Sequence, residues 1–482
     1  MNDNRPSSVD DGQDPSRAPL PPQAELPTSD LIDAQQTLSA DYLRQVFVRS
    51  QMTQFVEDSF IVSRADGVYY WDVHGKQYLD GLSGIYVTAL GHNNRRVIEA
   101  VKRQMDVLNF SPPMHGTNPL AVRLANELVD VAPGDLNAAK FCSGGSESTE
   151  TAIAVARQYH KLQGNATKYK IISRYQSWHG ATLGSLSASG LAARKAGTEP
   201  VAGGFVHVFP PTCYRCPFGK SYPDCELTCA TLIDDVIQQE GPETVAAAMV
   251  EPIGHTGGII DPPDEYLPIL REQCNKHDVL LIFDEIITGM GRTGHMFGAE
   301  TFGVIPDLLC VGKGLAAGYA PIFAVLLRQH VADAFWGDPG TNPGLVSGHT
   351  FEGYPTACAA ALATLAEIKD RDLCAHARRV GDRLRRGLES LRKHKIVGDI
   401  RGKGLLLGVE FVRDTATKQP FDDPIGTLIG HRALQNGLLT RYDPTWIGLG
   451  PPLILTDDQA DEIVAILDRS IAQVLVELDG PP

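Results

Sequence analysis

Helical and strand-like stretches alternate through the middle of the chain, between Pro119 and about residue 315. Stretches with apolar positions three and four residues apart are typical of helices, and the short apolar runs between them are typical of buried strands. This alternation predicts an α/β fold with a mostly parallel sheet covered by helices, whose ligands bind beyond the carboxyl ends of the strands. In chain order the segments are VRLANELVDV, AAKFCSG, TAIAVARQYHKLQ, KYKIISR, VAAAMVEP, LPILREQCNKH, VLLIFDE and LLCVGKG.

The residues before this core carry weaker patterns. Residues 1–38 are acidic and Pro-rich with little hydrophobic periodicity, which predicts a disordered tail. From there, SADYLRQVFVRSQM predicts a helix that Ser39 caps and that carries Leu43, Val46 and Phe47 on one face.

A hairpin and a second lobe complete the predicted organisation. Two aromatic and β-branched runs flank His74-Gly75, which predicts a β-hairpin. Near the end, TACAAALATLAEIKD and VGDRLRRGLESLRKH predict helices, GLLLGVEFV a strand, and Asp457 to about Leu478 a last helix. We therefore divide the chain into a tail (1–38), the first part of a small domain (39–95), a large ligand-binding domain (96–355, with a Cys-rich insertion at 211–230) and the second part of the small domain (356–482).

Composition and charge narrow the partners. The chain has 482 residues and a net charge of −15, which is the wrong sign for neutralising a nucleic acid or docking on an anionic membrane. No apolar run reaches the roughly 20 residues that span a bilayer. Nine cysteines, an odd number, and an acidic start favour the reducing cytoplasm. Small molecules and other protein chains are therefore the expected partners.

A glycine-rich turn precedes one predicted helix. Ser143-Gly144-Gly145-Ser146 lies between the strand-like KFC and the helix ESTETAIAVARQYH. Glycines there let the backbone approach an anion, and the first amides of the helix bind a phosphate. Ser-x-x-Glu also caps ordinary helices, so this turn alone favours a simple helix start.

Three further residues follow predicted strands. Asp284 directly follows the strand-like VLLIF and could bind a protonated ring nitrogen or a metal, or could bind no ligand. A metal is less favoured, because no His or Cys lies nearby at metal-ligand spacing. Lys313 stands between two glycines after LLCV, where a desolvated amine becomes a nucleophile. Trp178 offers a flat stacking surface or a core side chain. A phosphate cradle, an acid, an amine and a stacking surface are together the needs of pyridoxal 5′-phosphate.

These residues carry a family resemblance that covers about residues 40 to 475. IFDEIITGMGRTGHMFGAETFGVIPDLLCVGKGLAAGYAPIFAV resembles the signature of the class III, or ω-amino, aminotransferases of fold type I. FCSGGSESTETAIAVAR, QSWHGATLG, MVEPIGHTGGII, GHTFEGYP and GDIRGKGLLLGVEFV are similar to further segments of that family. The resemblance implies a large domain built on a seven-stranded, mostly parallel sheet and a smaller α+β domain formed by both chain ends.

The resemblance also implies roles for residues. Lys313 would bind pyridoxal phosphate and later carry a proton as general base and acid, and Asp284 would keep the ring nitrogen protonated. Thr350 of GHTF would reach the phosphate of the neighbouring subunit, which requires a homodimer or a tetramer. The other cofactor contacts that we expect are Gly144, Gly145, Ser146, Trp178, His179, Glu251 and Ile286.

Several segments also resemble 2,2-dialkylglycine decarboxylase, another class III member. QSWHG and GKGLLLGVEF match it, but its carboxylate-holding glutamine and arginine are replaced here by Ile85 and Gly448. Arg441 instead falls where pyruvate-dependent relatives place a mobile arginine, which would bind the carboxylate of an amino or keto acid; a surface arginine is the alternative. Tyr86 and Phe110 are expected to line the substrate pocket or to pack at an interface.

One segment stays outside this chemistry. Cys213, Cys216, Cys225 and Cys229 lie within PPTCYRCPFGKSYPDCELTCA. Four such ligands suit zinc, although the middle spacer is short for a zinc ribbon. Reduced thiols, or one to two disulfides, are slightly favoured over a metal.

Three functions compete at this stage. The first is an aminotransferase that moves an amino group from an amine or ω-amino acid to a keto acid such as pyruvate, by a ping-pong route. The second keeps the cofactor but decarboxylates, or acts as a lyase or racemase. The third is a metal-binding or interaction protein with a vestigial cofactor site, against which every expected catalytic residue is present.

Overall fold

The computed structural model describes residues 39–48, 52–57 and 59–479, and the predicted tail at 1–38 lies outside them. The strands of this part of the chain are β1 (Val62–Asp66), β2 (Tyr69–Asp72), β3 (Gln77–Asp80), β4 (Leu136–Cys142), β5 (Lys170–Arg174), β6 (Phe205–Val208), β7 (Val245–Val250), β8 (Leu280–Asp284), β9 (Leu308–Val311), β10 (Phe323–Arg328), β11 (Val397–Lys403), β12 (Leu406–Phe411), β13 (Leu438–Leu439), β14 (Arg441–Asp443) and β15 (Trp446–Leu449).

The helices of the same residues are α1 (Ala40–Leu43), α2 (Met52–Glu57), α3 (Ser83–Tyr86), α4 (Arg95–Val107), α5 (Pro119–Val131), α6 (Gly145–Leu162), α7 (Leu183–Ala188), α8 (Ala192–Lys195), α9 (Thr228–Glu240), α10 (Tyr266–Lys276), α11 (Gly298–Phe302), α12 (Gln329–Asp333), α13 (Pro355–Asp370), α14 (Leu373–Glu389), α15 (Ile425–Gln435) and α16 (Asp457–Asp479). Short 3₁₀ turns lie at Cys213–Arg215, Pro242–Thr244, Lys313–Leu315 and Ser390–Lys393.

The chain divides into two compact units. The smaller comprises the described residues up to Ser63 together with Asp72–His74, and the larger comprises Arg64–Trp71 and the chain from Gly75 onward. In the smaller unit, the amide of Val73 donates to the carbonyl of Ile61 (3.0 Å).

The predicted helix after Ser39 is wrong in length and in its buried face. Helix α1 ends at Leu43, and Val46 and Phe47 beyond it are 52% and 90% exposed. A helix of so few residues is marginal unless its apolar face packs on a partner. The apolar spacing alone therefore did not make a packed helix here.

A seven-stranded sheet supports the larger unit. Its order is β4-β10-β9-β8-β7-β5-β6, and all neighbours are parallel except at β10, which runs antiparallel to β4 and β9. Every residue of β7, β8 and β9 is buried, as expected for strands that are covered on both faces. The predicted mostly parallel α/β sheet is confirmed.

Two hydrophobic clusters cover the two faces of this sheet. Along β8, Leu281 and Phe283 belong to the cluster that includes Leu270 of α10. Ile282, between them, belongs to the cluster that includes Ile153 of α6. Because successive strand side chains point to opposite faces, α6 and α10 lie on opposite sides of the sheet.

Smaller sheets use the chain on either side of the central sheet. β2 and β3 form the predicted antiparallel hairpin, and β3 also pairs in parallel with β13 from near the other end of the chain. A further antiparallel sheet has the order β11-β12-β15-β14. The domain boundaries at 95/96 and 355/356 remain predictions.

Candidate active site

Polar side chains that follow neighbouring strands of the large sheet meet at one cavity. The cavity has a volume of about 180 Å³ and lies at the carboxyl ends of these strands. Its walls include eight of the expected cofactor residues, which are Gly145, Ser146, Trp178, His179, Glu251, Asp284, Ile286 and Lys313. Parallel strands bring their carboxyl ends to one edge, so residues far apart in sequence converge there.

The start of helix α6 forms one wall of the cavity. Gly144 precedes the helix in an extended conformation (φ −146°, ψ 156°), and no side chain of the described residues caps the helix start. A Cβ on Gly145 would lie 3.3 Å from Cδ1 of Ile286. The uncapped amides and the positive end of the helix dipole suit a phosphate.

Side chains of α6 fasten the loop that carries Trp178. Ser146 Oγ accepts a hydrogen bond from the amide of Ala181 (2.9 Å). Thr149 Oγ1 donates to the carbonyl of His179 (2.7 Å). The loop and the helix start are thereby held together around the cavity.

Asp284 and His179 form a buried pair. Asp284 ends β8, and its Oδ2 lies 2.9 Å from Nδ1 of His179. Its other oxygen accepts from the amide of Ile286 (3.2 Å). Nε2 of His179 is buried, with no hydrogen-bond partner among the described residues. The pair fixes the carboxylate of Asp284 at the cavity wall.

Lys313 follows β9 in a strained turn. Its φ is +45°, in the left-handed region. A Cβ on the preceding Gly312 would overlap the ring of Phe323, which projects from β10. Burial lowers the pKa of Lys313 to about 8, while Asp284 and Glu251 act in the opposite direction. A lysine with a pKa of about 8 is about one-tenth neutral at pH 7, far more than an ordinary lysine, and is a competent nucleophile.

Glu251 and His255 form a second acid–histidine pair in the same wall. Glu251 Oε1 lies 3.2 Å from Nδ1 of His255, and Oε2 is buried without a partner in the described chain. Burial raises the pKa of Glu251 to about 7. Burial also lowers the pKa of His255 well below its ordinary value, so this ring is neutral.

Sequence reasoning missed several wall residues. His255 and Phe323 both line the cavity. His255 lies five residues after the end of β7, and Trp178 lies four residues after the end of β5, so the position of His255 after a strand was the available signal. Phe323 belongs to the antiparallel strand β10, which the alternation of helices and strands did not reveal.

Five expected site residues are not in the cavity wall of this single chain. Tyr86 is buried behind it, with its ring 5.3 Å from that of His255. Phe110 is partly exposed and contacts Phe351 (ring centroids 5.8 Å apart). The others are Gly144, which precedes the helix, Thr350, which is exposed, and Arg441 on β14.

Arg441 contacts residues of its own strand and of the neighbouring strand β15. Its guanidinium pairs with Asp443 and lies 5.6 Å from the ring centroid of Trp446. Its Nε is buried without a hydrogen-bond partner among the described residues. In the sheet, Arg441 lies opposite Gly448, the position where the decarboxylase resemblance expects an arginine.

The clustered cysteines are free thiols. Cys213, Cys216, Cys225 and Cys229 line one small cavity of about 20 Å³. Burial raises the pKa of Cys213 to about 11 and that of Cys229 to about 12. Within residues 39–48, 52–57 and 59–479, no three or more His, Cys, Asp or Glu side chains are arranged to hold a metal ion.

The family follows from comparison with known proteins. The class-III aminotransferase family model matches residues 52–471. The chain belongs to the class III aminotransferases. Of its relatives, a probable aminotransferase of Mycobacterium tuberculosis (Rv3329) is 40% identical over 85% of this chain and 89% of its own. The taurine–pyruvate aminotransferase of Bilophila wadsworthia is 36% identical over 86% of this chain and 92% of its own.

A solved structure agrees with this membership. An amine transaminase from an uncultivated Pseudomonas species, in its pyridoxal-phosphate-bound form, superposes on the aminotransferase with a TM-score of 0.85. It is 35% identical and covers 89% of this chain and 97% of its own. The predicted fold-type I architecture and the transaminase activity are confirmed. None of the described helices is long and apolar enough to cross a membrane.

Proposed function

We propose that this aminotransferase uses the cavity around Lys313 to bind pyridoxal phosphate and moves an amino group from an amine or ω-amino acid to a keto acid such as pyruvate. The reaction would run in two half-reactions, the first with the amine and the second with the keto acid. The convergence of Asp284, Lys313 and the start of α6 on one cavity carries the proposal. The taurine–pyruvate relative supports pyruvate as an acceptor.

The donor set of the cavity fits this cofactor. A helix start without a side-chain cap suits the phosphate, and the Asp284 carboxylate suits the ring nitrogen. The unpartnered Nε2 of His179 and Oε2 of Glu251 suit a polar occupant, because buried polar groups are normally hydrogen-bonded. Pyridoxal phosphate supplies a carbonyl carbon for the amine and a ring that accepts electrons from the substrate.

Residues of the chain would hold the cofactor, move protons and form the walls of the cavity. Asp284, oriented by His179, would keep a proton on the ring nitrogen of the cofactor. Lys313 would hold the cofactor and then move a proton at its Nζ, for which a pKa of about 8 is well matched to neutral pH. Trp178 provides a flat wall that excludes water. Glu251 stays close to its midpoint of protonation at neutral pH.

Arg441 is the proposed carboxylate ligand. A keto acid would displace Asp443 as the partner of its guanidinium, and an amine without a carboxylate would leave that pair intact. The buried, unpartnered Nε leaves one donor of the guanidinium free for such a ligand. Tyr86 and Phe110 are proposed as pocket walls of the assembled enzyme.

The working unit is proposed to be a homodimer, with tetramers as its larger form. Thr350 is exposed in the single chain and would complete the partner's phosphate site. Mixing Lys313→Ala subunits with Thr350→Ala subunits tests this arrangement, because one site of each mixed dimer would have both native residues. Activity should rise on mixing; activity that stays at the sum of the two variants would contradict a shared site.

We also propose a cytoplasmic location, since an odd number of cysteines suits a reducing compartment.

A spectroscopic titration tests the function. The purified enzyme should absorb visible light through its bound cofactor, lose that band with a donor amine and regain it with pyruvate. Lys313→Ala should remove the band, whereas Lys161→Ala, at an exposed lysine of α6, should leave it unchanged. No bleaching across a broad panel of amines would refute the transferase assignment.

A carbon dioxide assay on the same purified protein tests the decarboxylase alternative. Release of carbon dioxide from a dialkylglycine would favour it. Ile85 and Gly448 stand in place of the glutamine and arginine that would bind that carboxylate. Ile85 is exposed, and a Cβ on Gly448 would lie 2.9 Å from the Trp446 ring. We therefore expect no carbon dioxide.

A further inference from the structure

The turn that carries Thr350 is fastened to its own chain on both sides of this residue, while Thr350 itself is exposed. The amide of His349 donates to Oε2 of Glu352 (3.2 Å), and the same carboxylate pairs with Lys140 of β4. In return, the carbonyl of His349 accepts from the amide of Glu352 (3.3 Å). The backbone around Thr350 is therefore a closed turn that is tied to β4.

The side chain of His349 ties the same turn to helix α6. Its Nε2 lies 3.0 Å from Oγ1 of Thr151, which is buried in the second turn of the helix. Its Nδ1 lies 3.9 Å from Oε2 of Glu147, in the first turn of the helix. Because Nδ1 faces a carboxylate, we assign the ring proton to Nδ1, and Nε2 then accepts from the Thr151 hydroxyl.

Glu147 also holds the glycine-rich turn that starts α6. Its Oε2 accepts hydrogen bonds from the amide (2.9 Å) and the hydroxyl (2.7 Å) of Ser143. These bonds close the turn from Ser143 to Ser146, whose last two residues line the catalytic cavity. One carboxylate oxygen therefore contacts the proposed phosphate turn and faces the imidazole of His349.

Neither His349 nor Thr350 lies in the described wall of the catalytic cavity of the same chain. A role of His349 in cofactor binding must therefore act through another residue. The next residue along the chain is Thr350, whose hydroxyl is proposed to bind the phosphate in the partner's site. The direction of that hydroxyl depends on how the turn is held.

We propose that His349 is a positioning residue, which holds the turn on α6 of its own subunit and thereby directs Thr350 to the phosphate site of the partner subunit. The inference rests on the proposed function, in which Thr350 completes that site. Loss of the His349 side chain should therefore weaken cofactor binding in the partner's site and not in the site of the chain that carries the change.

The physical reason is pre-organisation. A hydroxyl that binds a phosphate oxygen must lie within about 3 Å of it. Ordering a free loop on binding costs conformational entropy, and each residue that is already anchored lowers this cost. The contacts of Glu352 with Lys140 and of His349 with Thr151 anchor the turn before the two subunits meet.

Two mixed dimers that contain the same substitutions test the direction of this effect. In the first, one subunit carries His349→Phe and the other carries Lys313→Ala. In the second, one subunit is unchanged and the other carries both substitutions. Because Lys313→Ala should remove the visible band, absorbance reports only the site that keeps Lys313. That site receives Thr350 from a chain with native His349 in the first dimer, and from the chain with His349→Phe in the second.

The second dimer should bind pyridoxal phosphate about tenfold more weakly than the first, which is the loss typical of one hydrogen bond to a charged group. Equilibrium dialysis followed by absorbance gives both dissociation constants. The first dimer should match a dimer of unchanged and Lys313→Ala subunits. Equal affinities would overturn the proposal, and so would a weaker affinity in the first dimer, since His349 would then act within its own chain.

Substitutions in homodimers test the contact with α6. His349→Phe should weaken cofactor binding about tenfold, and His349→Gln, whose amide oxygen can still accept from Thr151, should recover most of that loss. Thr151→Val should resemble His349→Phe, and the two together should add little further loss, because each breaks the same hydrogen bond. Additive losses would contradict the positioning contact.

Thr350→Ala in the same two mixed arrangements separates this inference from the proposed function. If Thr350→Ala weakens binding in the second arrangement and His349→Phe does not, the shared site stands and the positioning role is refuted. If neither substitution changes binding in the partner's site, the shared phosphate site is refuted, and the inference with it. Weaker binding with both substitutions in the second arrangement supports both.

Discussion

Replacing Lys313 with methionine should stabilise the cofactor-free enzyme. Burial lowers the pKa of this lysine from 10.5 to about 8. Each pKa unit is worth about 1.4 kcal/mol, so the charged lysine costs the folded state about 3 kcal/mol. Methionine has a similar length and no charge to desolvate. The catalytic position is therefore also a weak point of the fold when the cofactor is absent.

The pH dependence gives this prediction its sign. The unfolded chain holds the lysine proton up to about pH 10.5, whereas the folded chain releases it near pH 8. The penalty is complete below pH 8, shrinks as the pH rises from 8 to 10.5, and is absent above that. Lys313→Met should therefore gain about 3 kcal/mol at pH 7 and almost nothing at pH 10.5.

Urea unfolding of cofactor-free protein measures the effect. Wild type and Lys313→Met are compared at pH 7, 8, 9 and 10, at one protein concentration because association also stabilises. Lys161→Met, at an exposed lysine, controls for the general effect of losing a charge. The reasoning is refuted if Lys313→Met gains nothing at pH 7, or if its gain stays constant up to pH 10.

Two further predictions concern the turn before Lys313 and the arginine on β14. Gly312→Ala should abolish retention of the cofactor because its Cβ overlaps Phe323, whereas Gly197→Ala, with open space around it, should not; absorbance per protein chain measures both. Asp443→Asn should lower the KM for pyruvate severalfold by releasing Arg441, and Arg441→Ala should raise it at least tenfold, with little effect on a carboxylate-free amine. An equal loss for both substrates would contradict a carboxylate role for this arginine.

The parts of the site that sequence could predict are those fixed by strand ends. Asp284 and Lys313 each follow a strongly apolar run, and parallel strands must bring such ends to one edge. Gly145 and Ser146 begin a helix after a strand, so their place near the same edge followed as well. Backbone topology carried these predictions, which needed no knowledge of side-chain packing.

The parts that sequence could not predict depend on long-range packing. Phe323 reaches the turn of Lys313 because β10 inserts antiparallel between β4 and β9, which no local pattern encodes. His255 lies in the wall because its loop closes on itself through Gly254 and Ile260. In contrast, Phe47 had the right spacing for a helix face but is 90% exposed, so this spacing did not lead to packing against the described residues.

Burial of the cysteines has a consequence for the reactivity of the whole molecule. Thiols react with alkylating reagents and peroxides as thiolates, and a raised pKa leaves few of these near neutral pH. The seven cysteines with a raised pKa should therefore react slowly with such reagents near neutral pH, and labelling of the wild-type chain should occur mainly elsewhere than at these thiols. The cysteines whose pKa is raised are Cys142, Cys213, Cys229, Cys274, Cys310, Cys358 and Cys374.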